Sequence, residues 1–239
     1  MKKTLLVLLG ISVSVLAMSQ SLKVPKIDLS TRPADHFMIQ YGSDSWMSRP
    51  DSVRTKGFSR HFNLYFMYDK PFKTNPKFSI ALGAGVGSSN IFFDNTRVDL
   101  KSNALKLPFT SVDSVDHFKK YKLVTIYLEA PVELRYYSKP ADPMKSFKAA
   151  LGFKVGTLLK SYTKGKDWVN KGGGSLYGPT YIAKESNKKF MNGTMLAVTG
   201  RLGYGIVSLD AGYQFNGVLK DGTGPTMNKF SIGLTISGL

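Results

Sequence analysis

The stretch Val124-Thr125-Ile126-Tyr127-Leu128-Glu129-Ala130-Pro131-Val132-Glu133-Leu134-Arg135-Tyr136 alternates with a period of two. Val124, Ile126, Leu128, Ala130, Val132, Leu134 and Tyr136 fall on one side, opposite Glu129, Glu133 and Arg135. Successive side chains of a strand point to opposite faces, so this spacing predicts a strand with one greasy and one charged face.

The same alternation recurs in both directions along the chain. In Gly57 to Tyr68, Phe58, Phe62, Leu64, Phe66 and Tyr68 oppose Ser59, His61, Asn63, Tyr65 and Met67. In Phe78 to Gly87, Phe78, Ile80, Leu82, Ala84 and Val86 oppose a face made mostly of glycine. Further runs span His36 to Gly42, Phe147 to Leu159, Thr194 to Leu202, Ile206 to Phe215 and Asn228 to Gly238, giving eight candidate strands with Lys122 to Tyr136.

The connections alternate in length. Ser43 to Lys56, Ser88 to Lys119, Lys160 to Gly193 and Asn216 to Met227 are long, whereas Asp69 to Lys77, Ser138 to Ser146 and Gly203 to Gly205 are shorter. Outer-membrane barrels combine short periplasmic turns with longer external loops. The pattern predicts an all-β fold, an eight-stranded antiparallel up-and-down transmembrane β-barrel with short periplasmic turns and long extracellular loops. A soluble sandwich or lipocalin-like barrel would alternate in the same way with its apolar face inward. Glycine or charge opposite the greasy faces, aromatics near strand ends and unequal loops favour the membrane barrel.

The N-terminus has the features of an export signal over 1–19. Lys2 and Lys3 precede the apolar run Leu5 to Val15, and Ala17-Met18-Ser19 forms a small-x-small cleavage site. Residues 20–34, with Pro25 and Pro33, read as an extended periplasmic lead-in, and 35–239 as a single barrel domain. No window reaches the roughly 18 apolar residues of a spanning helix. With no cysteines, disulfides, thiolate metal sites and a lipidated cysteine are all excluded.

The formal charge of +17 suggests an anionic partner. Export argues against nucleic acid and points to lipopolysaccharide, acidic glycans or acidic protein surfaces.

Tyr127-Leu128-Glu129-Ala130-Pro131-Val132-Glu133-Leu134-Arg135-Tyr136-Tyr137 resembles the tyrosine-leucine-glutamate-x-proline strand of PorT-like outer-membrane barrels of the Bacteroidota. Leu151-Gly152-Phe153-Lys154-Val155-Gly156-Thr157-Leu158-Leu159 is similar to the glycine-rich strand that usually follows it. The resemblance implies a multi-pass barrel of the cell outer membrane, and PorT itself is associated with secretion across that membrane. Ser231-x-Gly233-x-x-Ile236 fits the first part of the usual insertion signal, while Gly238 stands where an apolar or aromatic residue is normal.

If the greasy faces meet lipid, the lumen receives Glu129, Glu133, Arg135, Lys148, Lys154, Arg201 and Asp210. A barrel of this size is filled by side chains, and unpaired charges there are costly, so mutual pairing into a polar plug is expected. The competing reading is a proton or ion path. The external connection Lys160 to Phe190 carries the candidate anion- or partner-binding residues Lys164, Lys166, Trp168, Lys171, Lys184, Lys188 and Lys189. A solvated loop remains the alternative there.

No catalytic constellation is legible. The histidines are His36, His61 and His117, and the Ser59 and Asn63 neighbours of His61 are ordinary strand composition. Asp94, Asp99, Asp113 and Asp116 lack calcium-loop spacing, and Gly83-Ala84-Gly85-Val86-Gly87 sits inside a strand with no helix after it. No metal or cofactor is expected. The expected function is a non-enzymatic barrel with a structural, adhesive or assembly role, bordered by lipid and open to a protein partner at its external loops or periplasmic N-terminus. A hydrolase acting on lipid A or peptides, and a small passive channel, are the alternatives.

Overall fold

A computed structural model describes residues 36–238. The expected export signal and lead-in lie outside the described residues. The strands are β1 (Phe37–Met47), β2 (Arg60–Pro71), β3 (Phe78–Phe93), β4 (Thr96–Val98), β5 (Phe109–Ser111), β6 (His117–Tyr137), β7 (Phe147–Val169), β8 (Ile182–Ser186), β9 (Thr194–Tyr204), β10 (Val207–Gln214) and β11 (Asn228–Ser237). Eight of them, β1, β2, β3, β6, β7, β9, β10 and β11, pair antiparallel in chain order. The ladder from Met38↔Ser237 to Met47↔Asn228 joins β1 to β11 and closes the ring. Closure leaves the barrel without a sheet edge.

The wall is inside-out relative to a soluble barrel. Leu151 is 70% exposed and Leu234 55%, whereas Arg135 is 1% and Glu129 3% exposed. A lipocalin-like barrel would reverse these values, so the greasy faces form a lipid-facing band.

Several strands run past the bounds expected from sequence. β1 continues through Asp44 and Trp46, β3 reaches Phe93, β6 begins at His117, and a β4–β5 hairpin occupies the connection after β3. The largest correction concerns the long connection after Leu159. There β7 continues to Val169 and pairs with β8 from Tyr162↔Ser186 to Lys166↔Ile182. In the sequence the alternation breaks at Leu159 because the ladder steps from Tyr127↔Leu158 to Ile126↔Lys160, leaving Leu159 unpaired. This bulge reverses the inside–outside parity, so Ser161, Thr163 and Gly165 are buried while Lys160 and Lys166 face out.

A membrane strand needs roughly 9–11 residues. β6 has 21 and β7 has 23. Their outer halves, about ten residues each, rise about 25 Å beyond the lipid band at ordinary strand rise and barrel tilt.

Pro131 faces inward in the middle of β6 and lacks a backbone donor. The β3–β6 ladder is interrupted opposite it, between Leu82↔Val132 and Gly85↔Glu129. On the inner face of β3, glycines make room for neighbouring strands. A Cβ on Gly85 would lie 2.5 Å from the Tyr65 ring, and one on Gly87 would lie 2.2 Å from Glu129 Oε1.

Candidate functional site

The interior has two storeys. In the lower one, facing the short turns, all seven lumen residues expected from sequence are buried. Lys154 Nζ lies 2.9 Å from Glu129 Oε2 and donates to Tyr65 Oη at 3.0 Å, while the Tyr65 hydroxyl donates to Glu129. Glu133 Oε2 accepts from Arg135 Nε at 2.7 Å and from Arg201 Nη2 at 2.9 Å. Arg201 Nη1 continues to Ser237 Oγ at 3.1 Å, and Arg135 approaches Asp69 at 3.9 Å. Lys148 Nζ stands 5.4 Å from the Tyr137 ring centre, a cation–π contact. A cavity of about 20 Å³ lies among these side chains beside Tyr65, Lys154 and Arg201, and one of about 10 Å³ lies higher, near Trp46 and Tyr127.

His61, on the polar strand face that its alternation predicts, is buried together with Asp44 and Ser89, which fall in connections when read from sequence. His61 Nδ1 lies 2.9 Å from Asp44 Oδ1, and His61 Nε2 faces Asp210 Oδ2 at 4.0 Å. The Ser89 hydroxyl donates to Asp44, not to His61, and Asp210 accepts from Thr235 Oγ1 at 2.7 Å. The imidazole is thus held between two carboxylates, without the hydroxyl a nucleophilic triad would place beside it. Continuing the even-numbered face of β1 through Gln40 and Gly42 would have reached Asp44.

The upper storey is apolar. Trp46, Ile91, Phe93, Leu123, Tyr127, Leu158 and Met195 point inward from the strands and pack with residues from all four long connections, Val53, Leu100, Phe190 and Leu219 among them. Backbone bonds stitch the connections together: Leu107 N to Thr223 O (2.7 Å), Lys220 N to Phe190 O (2.9 Å) and Asn192 N to Val218 O (2.9 Å). On the rim, Arg54 pairs with Asp113. Hydrogen bonds from Ser111 and Arg54 hold the Asp113 carboxyl below the usual aspartate range.

The candidate loop residues separate into distinct places. Lys164, Lys166 and Lys184 stand on the outer face of the β6–β7–β8 extension, as the register pairs Lys122↔Lys164↔Lys184 and Lys120↔Lys166 require. Trp168 follows Asp167, whose φ of 61° turns the chain, and packs edge-on against Phe118 at 4.6 Å. The Phe118 ring lies over Gly165, where a Cβ would be 2.4 Å from it. These rings border a cleft of about 380 Å³ whose lining includes Phe93, Arg97, Asp116 and Tyr121. Lys189 Nζ donates to the carbonyls of Ser102 and Ala104, both at 3.2 Å, so it ties two connections together. Lys171 and Lys188 are simply exposed. Among the described residues no cluster of three or more His, Cys, Asp or Glu is placed to hold a metal ion.

A closed antiparallel ring with a greasy wall, a charged interior and short turns at one end defines a transmembrane β-barrel. The family model described as "Outer membrane protein beta-barrel domain" matches residues 37–237, and the chain belongs to that family, an outer-membrane barrel protein. No curated protein matches the sequence.

Proposed function

We propose that this protein is a non-enzymatic, non-conducting barrel with a structural or assembly role, in which the barrel carries an ordered platform outside the membrane. The interior cavities carry this reading. A cavity of about 20 Å³ holds about one water, and a conducting path needs a continuous file of them. Above it the apolar storey would have to be dismantled before ions could pass. The cap therefore favours a platform over the passive channel, and Asp210 stands where a hydrolase would need a hydroxyl beside His61. Likeness of Tyr127 to Tyr137 to the PorT-like strand supports placing the role in secretion-associated assembly.

The test is reconstitution of the full-length protein in planar bilayers. The expected result is no sustained conductance across physiological voltages. Reproducible open-channel steps would overturn the sealed reading, and a deletion strain that still secretes its normal proteins would remove the link to secretion.

A further inference from the structure

Beyond the sealed barrel, and independent of it, the outer face of the β6–β7–β8 extension is chemically one-sided. Its outward positions form rows across neighbouring strands. The last row of the lipid band here is Leu64, Val86, Leu128 and Thr157. Phe62, Ser88, Ile126 and Lys160 or its bulge neighbour follow, then Arg60, Asn90, Val124 and Tyr162. The next row is Phe92, Lys122, Lys164 and Lys184, and the one after it contains Lys120 and Lys166. No outward position of β2, β3, β6 or β8 is Asp or Glu. Glu185 lies on the other face, opposite Thr163, and approaches Arg97 at 3.8 Å.

Directly opposed side chains in an antiparallel ladder have Cβ atoms about 5 Å apart, and like charges there are destabilising. The Lys122↔Lys164↔Lys184 row makes two such contacts in succession and Lys120↔Lys166 a third. The partners these cations do have are neutral. Lys122 Nζ donates to Asn90 Oδ1 at 2.7 Å and lies 5.4 Å from the Phe92 ring, which Arg60 also approaches at 5.6 Å. Lys160 Nζ lies 5.6 Å from the Tyr162 ring. Such a face lacks the counter-charge that would make it favourable, and an anion set across the row supplies it.

Height identifies the anion. Successive outward rows are two residues apart, about 5 Å in height at ordinary rise and tilt. Arg60 and the three-lysine row therefore sit about 10–15 Å above the last lipid-facing leucine, where outer-leaflet headgroups lie against the wall. Lysine stems lie along apolar surface while their ammonium groups reach the polar layer. We propose that this face binds the phosphate groups of an outer-leaflet glycolipid, with Lys122, Lys164 and Lys184 bridging one phosphate-bearing headgroup and Arg60 and Lys160 holding its membrane-proximal side.

The experiment uses full-length protein in detergent and purified bisphosphorylated lipid A, with dephosphorylated lipid A as its matched comparison, read by native mass spectrometry and by retention on immobilised lipid. The face variant is Lys122→Gln/Lys164→Gln/Lys184→Gln. The control variant, Lys101→Gln/Lys106→Gln/Lys220→Gln, removes the same charge from exposed external positions off this face. Both must keep boil-sensitive gel migration, which reports a folded barrel.

Wild type is expected to prefer the phosphorylated lipid. The face variant should lose on the order of a hundredfold in affinity at low salt, from the usual contribution of each lysine near an anionic surface, while the control stays near wild type. Equal loss in both variants would reduce the effect to net charge, and equal binding of the dephosphorylated lipid would remove phosphate from the recognition. Displacement by millimolar inorganic phosphate would assign the face to a free anion. Each of these overturns the proposal, and none of them bears on conductance.

Discussion

Replacing Lys154 by methionine keeps most of the side-chain volume and removes its charge. In the lumen its ammonium sits 2.9 Å from Glu129 Oε2 and 3.0 Å from Tyr65 Oη, and Glu129 is 3% exposed. After the substitution the carboxylate keeps the Tyr65 hydroxyl, a neutral donor. Leaving a buried charge without its partner costs about 3–5 kcal/mol, and the Tyr65 bond, present before and after, does not offset it. The expected loss is about 3–5 kcal/mol, on the order of a hundred- to several-thousandfold shift in the folding equilibrium. Glu129→Gln/Lys154→Met should regain most of that loss, because an amide at 129 still accepts from Tyr65 and no charge is stranded. Reversible urea unfolding in phospholipid vesicles, followed by the fluorescence of Trp46 and Trp168, measures all the corners of the cycle. If Lys154→Met lies within about 0.5 kcal/mol of wild type, or if the double variant costs the sum of the singles, the paired-charge account of the lumen is wrong.

Two more outcomes follow from packing. In Gly87→Ala the new Cβ falls 2.2 Å from Glu129 Oε1, so the carboxylate must turn away from Lys154, and stability should drop by about 1–3 kcal/mol; an unchanged temperature of heat-modifiable migration would count against the close approach. Leu100→Ala empties a fully buried position of the upper storey and should cost about 2–5 kcal/mol, seen as a separate early phase in the Trp46 signal. A single unshifted transition would mean that the external connections do not share a core.

Strand parity carried most of the architecture. The step with Leu128, Val132 and Leu134 puts Glu129, Glu133 and Arg135 inside, and the same rule on β9 and β10 puts Arg201 and Asp210 there. What parity cannot supply is which strands are neighbours across the barrel, so the meeting of Lys154 with Tyr65, 89 residues apart, was out of reach. Two kinds of local interruption hid the rest. The unpaired Leu159 makes the lysines that follow look like an irregular loop. The apolar cap is drawn from single residues such as Val53, Leu100 and Phe190 in otherwise polar connections, where no period marks them. Asp44 escapes for a simpler reason: the alternating run from His36 closes at Gly42, although the even-numbered face of β1 runs on.

Every residue of β7 beyond Leu159 takes its direction from that one unpaired position. Loss of Leu159 itself would only remove the bulge, leaving Lys160 outward against Ile126, whereas loss of a paired residue just beyond it, such as Ser161, would act as a frame change in three dimensions, turning Lys164 and Lys166 toward the apolar storey and Thr163 toward the outside. Point substitutions along this strand are local events, but a change of length among the paired residues Lys160 to Lys166 exchanges two faces at once. The turn at Lys171 to Gly174 lies beyond the last strand pairing and carries no such constraint. Variation in chain length is therefore confined to the tip of the hairpin, while its stem must keep its residue count even where its composition drifts.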